Sequence, residues 1–267
     1  MKDGDFEAAR AALVTARRGA RAIGECPAGQ RPDDLAEAYR LQTAVIADLG
    51  GGGGWKIAAV TAEQRRTLGV PRPIAAALPL AMLHDASIRP ATLRFADFIA
   101  PKIECEIAFQ LRRDLPARAD EPYSRAEVAA AMATMRLAIE IVDSRWPAGS
   151  GTLAEVADGF NNGALAAGPR FDDWQEIAFA DVDIVLTAAA PGEPARELAL
   201  GSARAILEGD PFATVVMLAN AQPAGSPGLR AGDIVTTGSC TGAPRVPGPG
   251  LYRAEFSDLG SVELRFE

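Results

Sequence analysis

Two stretches near the start of the chain carry apolar residues at helical spacing. Residues 5 to about 22 are alanine-rich and helical in character. From 32 to 49, Leu35, Ala38, Tyr39, Gln42, Val45, Ile46 and Leu49 recur on one helical face behind Asp33 and Asp34. That pattern stops at five consecutive glycines, 50–54, and the character changes. Trp55 to Val60 reads as a short strand, Thr61-Ala62-Glu63-Gln64 as a helix start, and Pro71 and Pro73 close the stretch. Beyond Ile103 the pattern is mostly strand-like. It predicts strands at 103–111, 137–142, 182–186, 233–237, 252–256 and 261–266, with helices at 124–135 and 202–220. Ser257-Asp258-Leu259-Gly260, between the last two strands, is a hairpin signal. The expected architecture is α+β: an N-terminal helical part over residues 1–50, packed on a β-rich domain over 51–267.

Composition narrows the chemistry. The chain has 267 residues, 48% hydrophobic and 23% charged, which is globular composition. A formal net charge of −8 argues against a nucleic-acid binder, which needs a basic face. No apolar run reaches the length of a membrane span and the acidic start is not a signal peptide, so a cytoplasmic protein without a membrane partner is expected. Three cysteines without a CxxC exclude a disulfide framework or a structural zinc site. The single histidine, His84, excludes a metal held by several histidines, and there is no G-x-S-x-G elbow. His84 itself is expected to end a helix or face solvent. A P-loop would need Gly-Lys-Ser/Thr opening a helix; here Trp-Lys-Ile opens a strand, so the glycine run is read as a flexible connector. Carboxylates, lysine, hydroxyls and a bound metal remain.

The segment Ile103-Glu104-Cys105-Glu106-Ile107-Ala108-Phe109 is where such chemistry gathers. On a strand, Ile103, Cys105, Ile107 and Phe109 share an apolar face, leaving Glu104 and Glu106 side by side on the other. Cys105 is then an inert core residue. Glu140, between Ile139 and Ile141 with Ala138 and Val142 on its own face, is a third acid in apolar surroundings. A buried, unpaired carboxylate is costly or takes up a proton, and three converging carboxylates repel one another unless a cation joins them. An oxygen-only set suits Mg²⁺, Mn²⁺ or Ca²⁺, and an ion pair with Arg136 or Arg145 explains Glu140 equally well at this point. Lysine is scarce: Lys2, Lys56 and Lys102 stand against 24 arginines. A desolvated lysine can change protonation state where arginine cannot, which singles out Lys56 on the strand face opposite Trp55 and Ile57, although a lysine snorkelling at a strand end explains it as well. The turn Asp158-Gly159-Phe160-Asn161-Asn162-Gly163 and the stretch Thr236 to Gly242 offer polar groups at strand ends, suited to a substrate or to ordinary loops.

Taken in order, these segments resemble the 2-keto-4-pentenoate hydratase family of the fumarylacetoacetate hydrolase superfamily. The resemblance rests on Gly54-Trp55-Lys56-Ile57, Leu68-Gly69-Val70, the run from Pro101 to Phe109, the run from Ile139 to Arg145, Leu218-Ala219-Asn220, Ala231 to Val235 and Thr237-Gly238-Ser239. It implies a mixed, strongly curved β-sheet roll with the site in its mouth. It further implies that Glu104, Glu106 and Glu140 hold Mg²⁺, with Mn²⁺ as a substitute, and that Lys56 and Asp158 are catalytic. Asn161 and Ser239 become substrate-binding. The implied activity is that of a lyase hydrating a small 2-hydroxydienoic or 2-keto acid through a metal-stabilised enolate, within aromatic-compound catabolism. Decarboxylation or C–C hydrolysis on the same fold is the alternative, as is a non-catalytic subunit of a hydratase–decarboxylase complex. A homo-oligomer, and association with a related decarboxylase or hydratase, are implied too. The chain departs from the family where Ile74 replaces an acid and where Asn161 ends the turn after Asp158.

Overall fold

The computed structural model describes residues 1–24, 27–118, 120–223, 226 and 228–267; Cys26 lies outside them. The helices are α1 (Asp3–Gly19), α2 (Leu35–Asp48), α3 (Ala62–Leu68), α4 (Arg125–Ala129), α5 (Thr152–Ala157) and α6 (Pro211–Asn220). The strands are β1 (Gly52–Ala58), β2 (Ile74–Pro79), β3 (Leu83–Asp85), β4 (Ala91–Leu93), β5 (Lys102–Leu111) and β6 (Met132–Val142), followed by β7 (Asn162–Phe171), β8 (Asp183–Ala189), β9 (Arg196–Ser202), β10 (Ile234–Ser239), β11 (Gly250–Phe256) and β12 (Gly260–Phe266).

Two sheets result. One is mixed, in the order β2-β1-β10-β5-β6-β7-β3; the other runs β4-β12-β11-β8-β9. Alternation along β5 and β6 sends Ile103, Cys105, Ile107, Phe109, Leu137, Ile139 and Ile141 to one face. There they meet Tyr252, Ala254, Phe256, Val262, Leu264 and Phe266 from the second sheet in a single buried core. The opposite face of the first sheet is the inner one. It carries Glu104, Glu106 and Glu140 among Leu78, Ala108, Ala138, Leu165, Ala167 and Ile234.

This sheet curls on itself. Strands β2 and β7 stand near opposite ends of its order, yet the Asn162 amide donates to the Ala77 carbonyl at 2.7 Å. Helix α2 covers the rest of that seam. The Ala75 N–H donates to the Tyr39 hydroxyl at 3.2 Å and the Ala77 N–H to Gln42 Oε1 at 3.0 Å, while Gln42 Nε2 donates to the Val156 carbonyl at 2.6 Å. The backbone groups of an edge strand are thus satisfied by side chains. Around them a second core joins Leu13, Leu41 and Val45 of the first two helices to Ile74, Trp146 and Val156.

Several expectations need correction. The helix predicted over 124–135 is only Arg125–Ala129, and Met132 already begins β6, because its apolar run is buried on both faces. The helix predicted over 202–220 is confined to Pro211–Asn220, where Asp210 caps the Ala213 N–H. Strands β2, β3, β4, β7 and β9 were not anticipated; the alanine-rich β2 and β7 carry little strand propensity and are held by tertiary pairing. The glycine run is not simply a connector. Gly52 to Gly54 lie in β1, and a Cβ on Gly54 would sit 2.3 Å from the Ile234 carbonyl oxygen, so β1 and β10 approach this closely only at glycine. His84 is in β3, half-buried, with Nε2 lacking a partner among the described residues; it neither ends a helix nor faces solvent.

Candidate active site

The register of four strands assembles the site. Glu104 on β5 stands directly opposite Glu140 on β6, and Glu106 projects from the same face of β5. Lys56 on β1 is paired with Thr236 on β10, the strand between β1 and β5. Segments far apart in sequence therefore converge. One oxygen from each of Glu104, Glu106 and Glu140 lies within 4.8 Å of the others. The Lys56 ammonium is 2.7 Å from Glu140 Oε1 and 3.9 Å from Glu104 Oε2. Glu140 thus meets Lys56; Arg136 is taken by Asp85, and Arg145 by Asp158.

Burial sets the electrostatics. Glu106, Glu140 and Lys56 are buried, and the Glu104 side chain, 19% exposed, is the acid nearest solvent. Burial pushes the Glu104 carboxyl up to about 7, with Lys56 opposing and Glu140 adding to the shift. Burial, then Glu140 and Glu104, hold the Glu106 carboxyl well above the usual carboxylate range. Burial disfavours the Lys56 ammonium, but Glu140, Glu104 and Glu106 outweigh it and raise its pKa. The three carboxyls repel one another in a low-dielectric site, and with only one ammonium among them Glu104 and Glu106 hold their protons above the usual carboxylate range; all three can ionise together only against further positive charge. A divalent cation fits that deficit, and an all-carboxylate donor set suits a hard, oxygen-preferring ion.

Strand β10 supports two of the acids. The Gly238 N–H donates to Glu106 Oε2 at 2.7 Å, and the Thr236 hydroxyl reaches Glu140 Oε2 at 3.5 Å. At the end of β6, Asp143 accepts from the Ile99 and Ala100 N–H groups at 3.0 and 2.8 Å, pinning the chain just ahead of β5.

Asp158, expected to be catalytic, is engaged by two arginines. Its Oδ1 accepts from Arg17 Nε and Arg145 Nε at 3.0 Å each; its Oδ2 accepts from Arg145 Nε at 2.9 Å and from the Arg145 N–H at 3.1 Å. Both oxygens are saturated by a buried ion cluster that ties α1 to the turn before β7. Burial and the neighbouring Arg145 lower the Arg17 pKa to about 10. Asn161 lies in that turn in a left-handed conformation (φ 63°), its buried Oδ1 without a partner among the described residues. Ser239 stands opposite Glu106 in the ladder, but its hydroxyl donates to the Gly242 carbonyl at 2.7 Å. Sequence reasoning missed Arg17 and the individual roles of Asn162, Thr236 and Gly238. Only the strand-end position of the 236–242 stretch hinted at the last two.

No protein-family model matches the chain. It is 32% identical over 249 residues to the 2-keto-4-pentenoate hydratase of Paraburkholderia phymatum, covering 90% of this chain and 88% of that protein. It is also 32% identical over 217 residues to the 2-keto-4-pentenoate hydratase of Burkholderia vietnamiensis, covering 80% and 77%. The chain belongs to the 2-keto-4-pentenoate hydratase family. The fold agrees. A structure of 4-oxalocrotonate decarboxylase from Pseudomonas putida G7, complexed with magnesium and adipate, superposes with a TM-score of 0.84 at 23% identity over 100% of this chain and 99% of that one. A more distant likeness, TM-score 0.55 at 14% identity over 79% and 88% of the two chains, is to fumarylpyruvate hydrolase from Pseudomonas aeruginosa in complex with Mn²⁺ and pyruvate. The architecture is thus the fumarylacetoacetate hydrolase-like roll that the sequence resemblance implied. No helix among the described residues is long and apolar enough to cross a membrane.

Proposed function

We propose that this protein is a divalent-metal-dependent hydro-lyase that adds water to a small 2-hydroxydienoic acid, or its 2-keto tautomer. The observation that carries the reading is the buried cluster of Glu104, Glu106 and Glu140 with the Lys56 ammonium seated on Glu140. The three glutamates would hold Mg²⁺, with Mn²⁺ able to substitute. When bound, that ion supplies Lewis-acid polarisation of the substrate's carboxylate and 2-oxygen. Lys56 places its ammonium where negative charge develops on the 2-oxygen and can return a proton from Nζ. The apolar neighbours Leu78, Ala108, Ala138 and Ile234 line the same face as the buried Glu106 and Glu140, so these charges would act in a low dielectric. Substrate binding by Asn161 and Ser239 belongs to this reading and rests on the family resemblance; of the two, Ser239 stands opposite Glu106 in the β10–β5 ladder. The expectations of a cytoplasmic homo-oligomer in aromatic-compound breakdown, able to associate with a related decarboxylase or hydratase, belong to this reading and rest on the family resemblance.

Decarboxylation of a related 2-keto acid is the second reading, favoured by the whole-chain likeness to a decarboxylase fold. One experiment separates the two. Purified protein is mixed with Mg²⁺ and 2-hydroxypenta-2,4-dienoate, and separately with 4-oxalocrotonate; dienol absorbance and CO₂ are followed. Loss of dienol without CO₂ supports hydration. CO₂ release from 4-oxalocrotonate moves the assignment to decarboxylase. No consumption across a panel of 2-keto acids leaves the non-catalytic subunit. Glu106→Gln should abolish Mg²⁺ binding and turnover together, and unchanged Mg²⁺ affinity would overturn the site.

A further inference from the structure

Strand β10 does not run regularly past the acids. Thr236 pairs with Ala108 and Ser239 with Glu106, so one extra residue is accommodated between them as a β-bulge. Three contacts hold it. The Thr237 hydroxyl donates to the Ile107 carbonyl at 2.8 Å, the Cys240 N–H donates to the Cys105 carbonyl at 2.9 Å, and between them the Gly238 N–H points at Glu106 Oε2 at 2.7 Å. In a regular ladder the interstrand N–H groups bond to backbone carbonyls. Here the bulge frees one such donor and gives it to a side chain. Gly238 has φ 114°, a conformation that side chains rarely adopt. The space around it is less restrictive: a Cβ would meet only the tip of Ile206, at 3.2 Å. Glycine at 238 is therefore demanded by the direction of its N–H rather than by crowding. Glu106 Oε1 has no hydrogen bond among the described residues, which leaves it as the oxygen available to the cluster.

We infer that the β10 bulge is the positioning element of the metal centre: Gly238 fixes the Glu106 carboxylate through one oxygen so that the other is presented for ligation, and Thr237 locks the bulge in place. The inference rests on the reading of Glu104, Glu106 and Glu140 as a divalent-cation site. A hydrogen bond from a fixed backbone donor orients a ligand before the ion arrives. Alanine at 238 retains its N–H but cannot hold the same φ cheaply, so the donor turns away and Glu106 becomes mobile.

The test is Mn²⁺ binding to the full chain, read by the free-ion electron paramagnetic resonance signal, alongside thermal unfolding in chelator. Wild-type protein should bind Mn²⁺, and Glu106→Gln should not. Gly238→Ala should bind roughly ten- to a hundredfold more weakly, the range set by outer-shell contacts to ligands. Thr237→Val removes the hydroxyl without changing backbone freedom. It should weaken Mn²⁺ severalfold while Thr237→Ser restores it, which keeps the inference open to refutation should Gly238→Ala fail to fold. Affinities within twofold of wild type for Thr237→Val, or for folded Gly238→Ala, would overturn the positioning role while leaving the metal site standing. Absence of Mn²⁺ binding by the wild type would overturn both.

Discussion

Replacing Lys56 by methionine puts a number on how this site balances charge. At 2.7 Å from Glu140, the ammonium contributes about 6 kcal/mol of gross attraction at an effective dielectric near 20. Removing one partner of a buried pair costs a net of about 3–5 kcal/mol, because the other charge is left uncompensated. For a chain of this size such a loss lowers Tm by about 10 °C. That penalty belongs to the metal-free protein. A divalent cation between the glutamates supplies the missing positive charge, so the Tm deficit of Lys56→Met should shrink to roughly half or less in saturating Mg²⁺ through binding linkage. Mg²⁺ should also bind the variant more tightly than wild type, since a like charge beside the ion is gone. Turnover should be absent in both conditions. Thermal unfolding with and without chelator, paired with Mg²⁺ calorimetry, measures all of this. An equal Tm loss with and without Mg²⁺, or weaker Mg²⁺ binding, would refute the idea that Lys56 and a divalent cation share the charge of the same three acids.

Two further outcomes follow from the same electrostatics. The folded Glu104 carboxyl, raised to about 7, binds its proton more tightly than in the unfolded chain, so its contribution to stability is full below the ordinary carboxylate pKa and is lost as pH rises through about 7. The Tm of metal-free protein should fall across that window, and Mg²⁺ should flatten the slope; a slope unchanged by Mg²⁺ contradicts the assignment. Asp158→Asn should destabilise the fold by about 3–5 kcal/mol by leaving Arg17 and Arg145 undercompensated, while Mg²⁺ affinity of the folded variant stays at the wild-type value. Chemical denaturation and calorimetry check this, and a loss of affinity without loss of stability would return Asp158 to the catalytic centre.

What was legible in the sequence follows from the range over which each interaction acts. The E-x-E alternation of β5 and the isoleucine-flanked Glu140 are local patterns, and the faces they predict are the faces observed. The scarcity of lysine singled out Lys56, which does converge on the acids. The ion cluster around Asp158 was not legible because Arg17 is 141 positions away, and a polar turn that anchors a helix reads like one that lines a pocket. Strands β2 and β7 escaped for a related reason. Ala75-Ala76-Ala77 and Ala164, Ala166 and Ala167 have little strand preference of their own and are held as strands by their partners. The bulge at Gly238 is a register shift, and register is decided by the partner strand.

The seam between β2 and β7 makes the first two helices guardians of solubility. Tyr39 and Gln42 occupy the outward N–H groups of Ala75 and Ala77. A chain beginning at residue 51 would present those donors on a bare, apolar strand edge, an open template for intermolecular strand addition. Such a fragment should assemble into aggregates through β2, and peptides spanning α2 should suppress that assembly by refilling the edge.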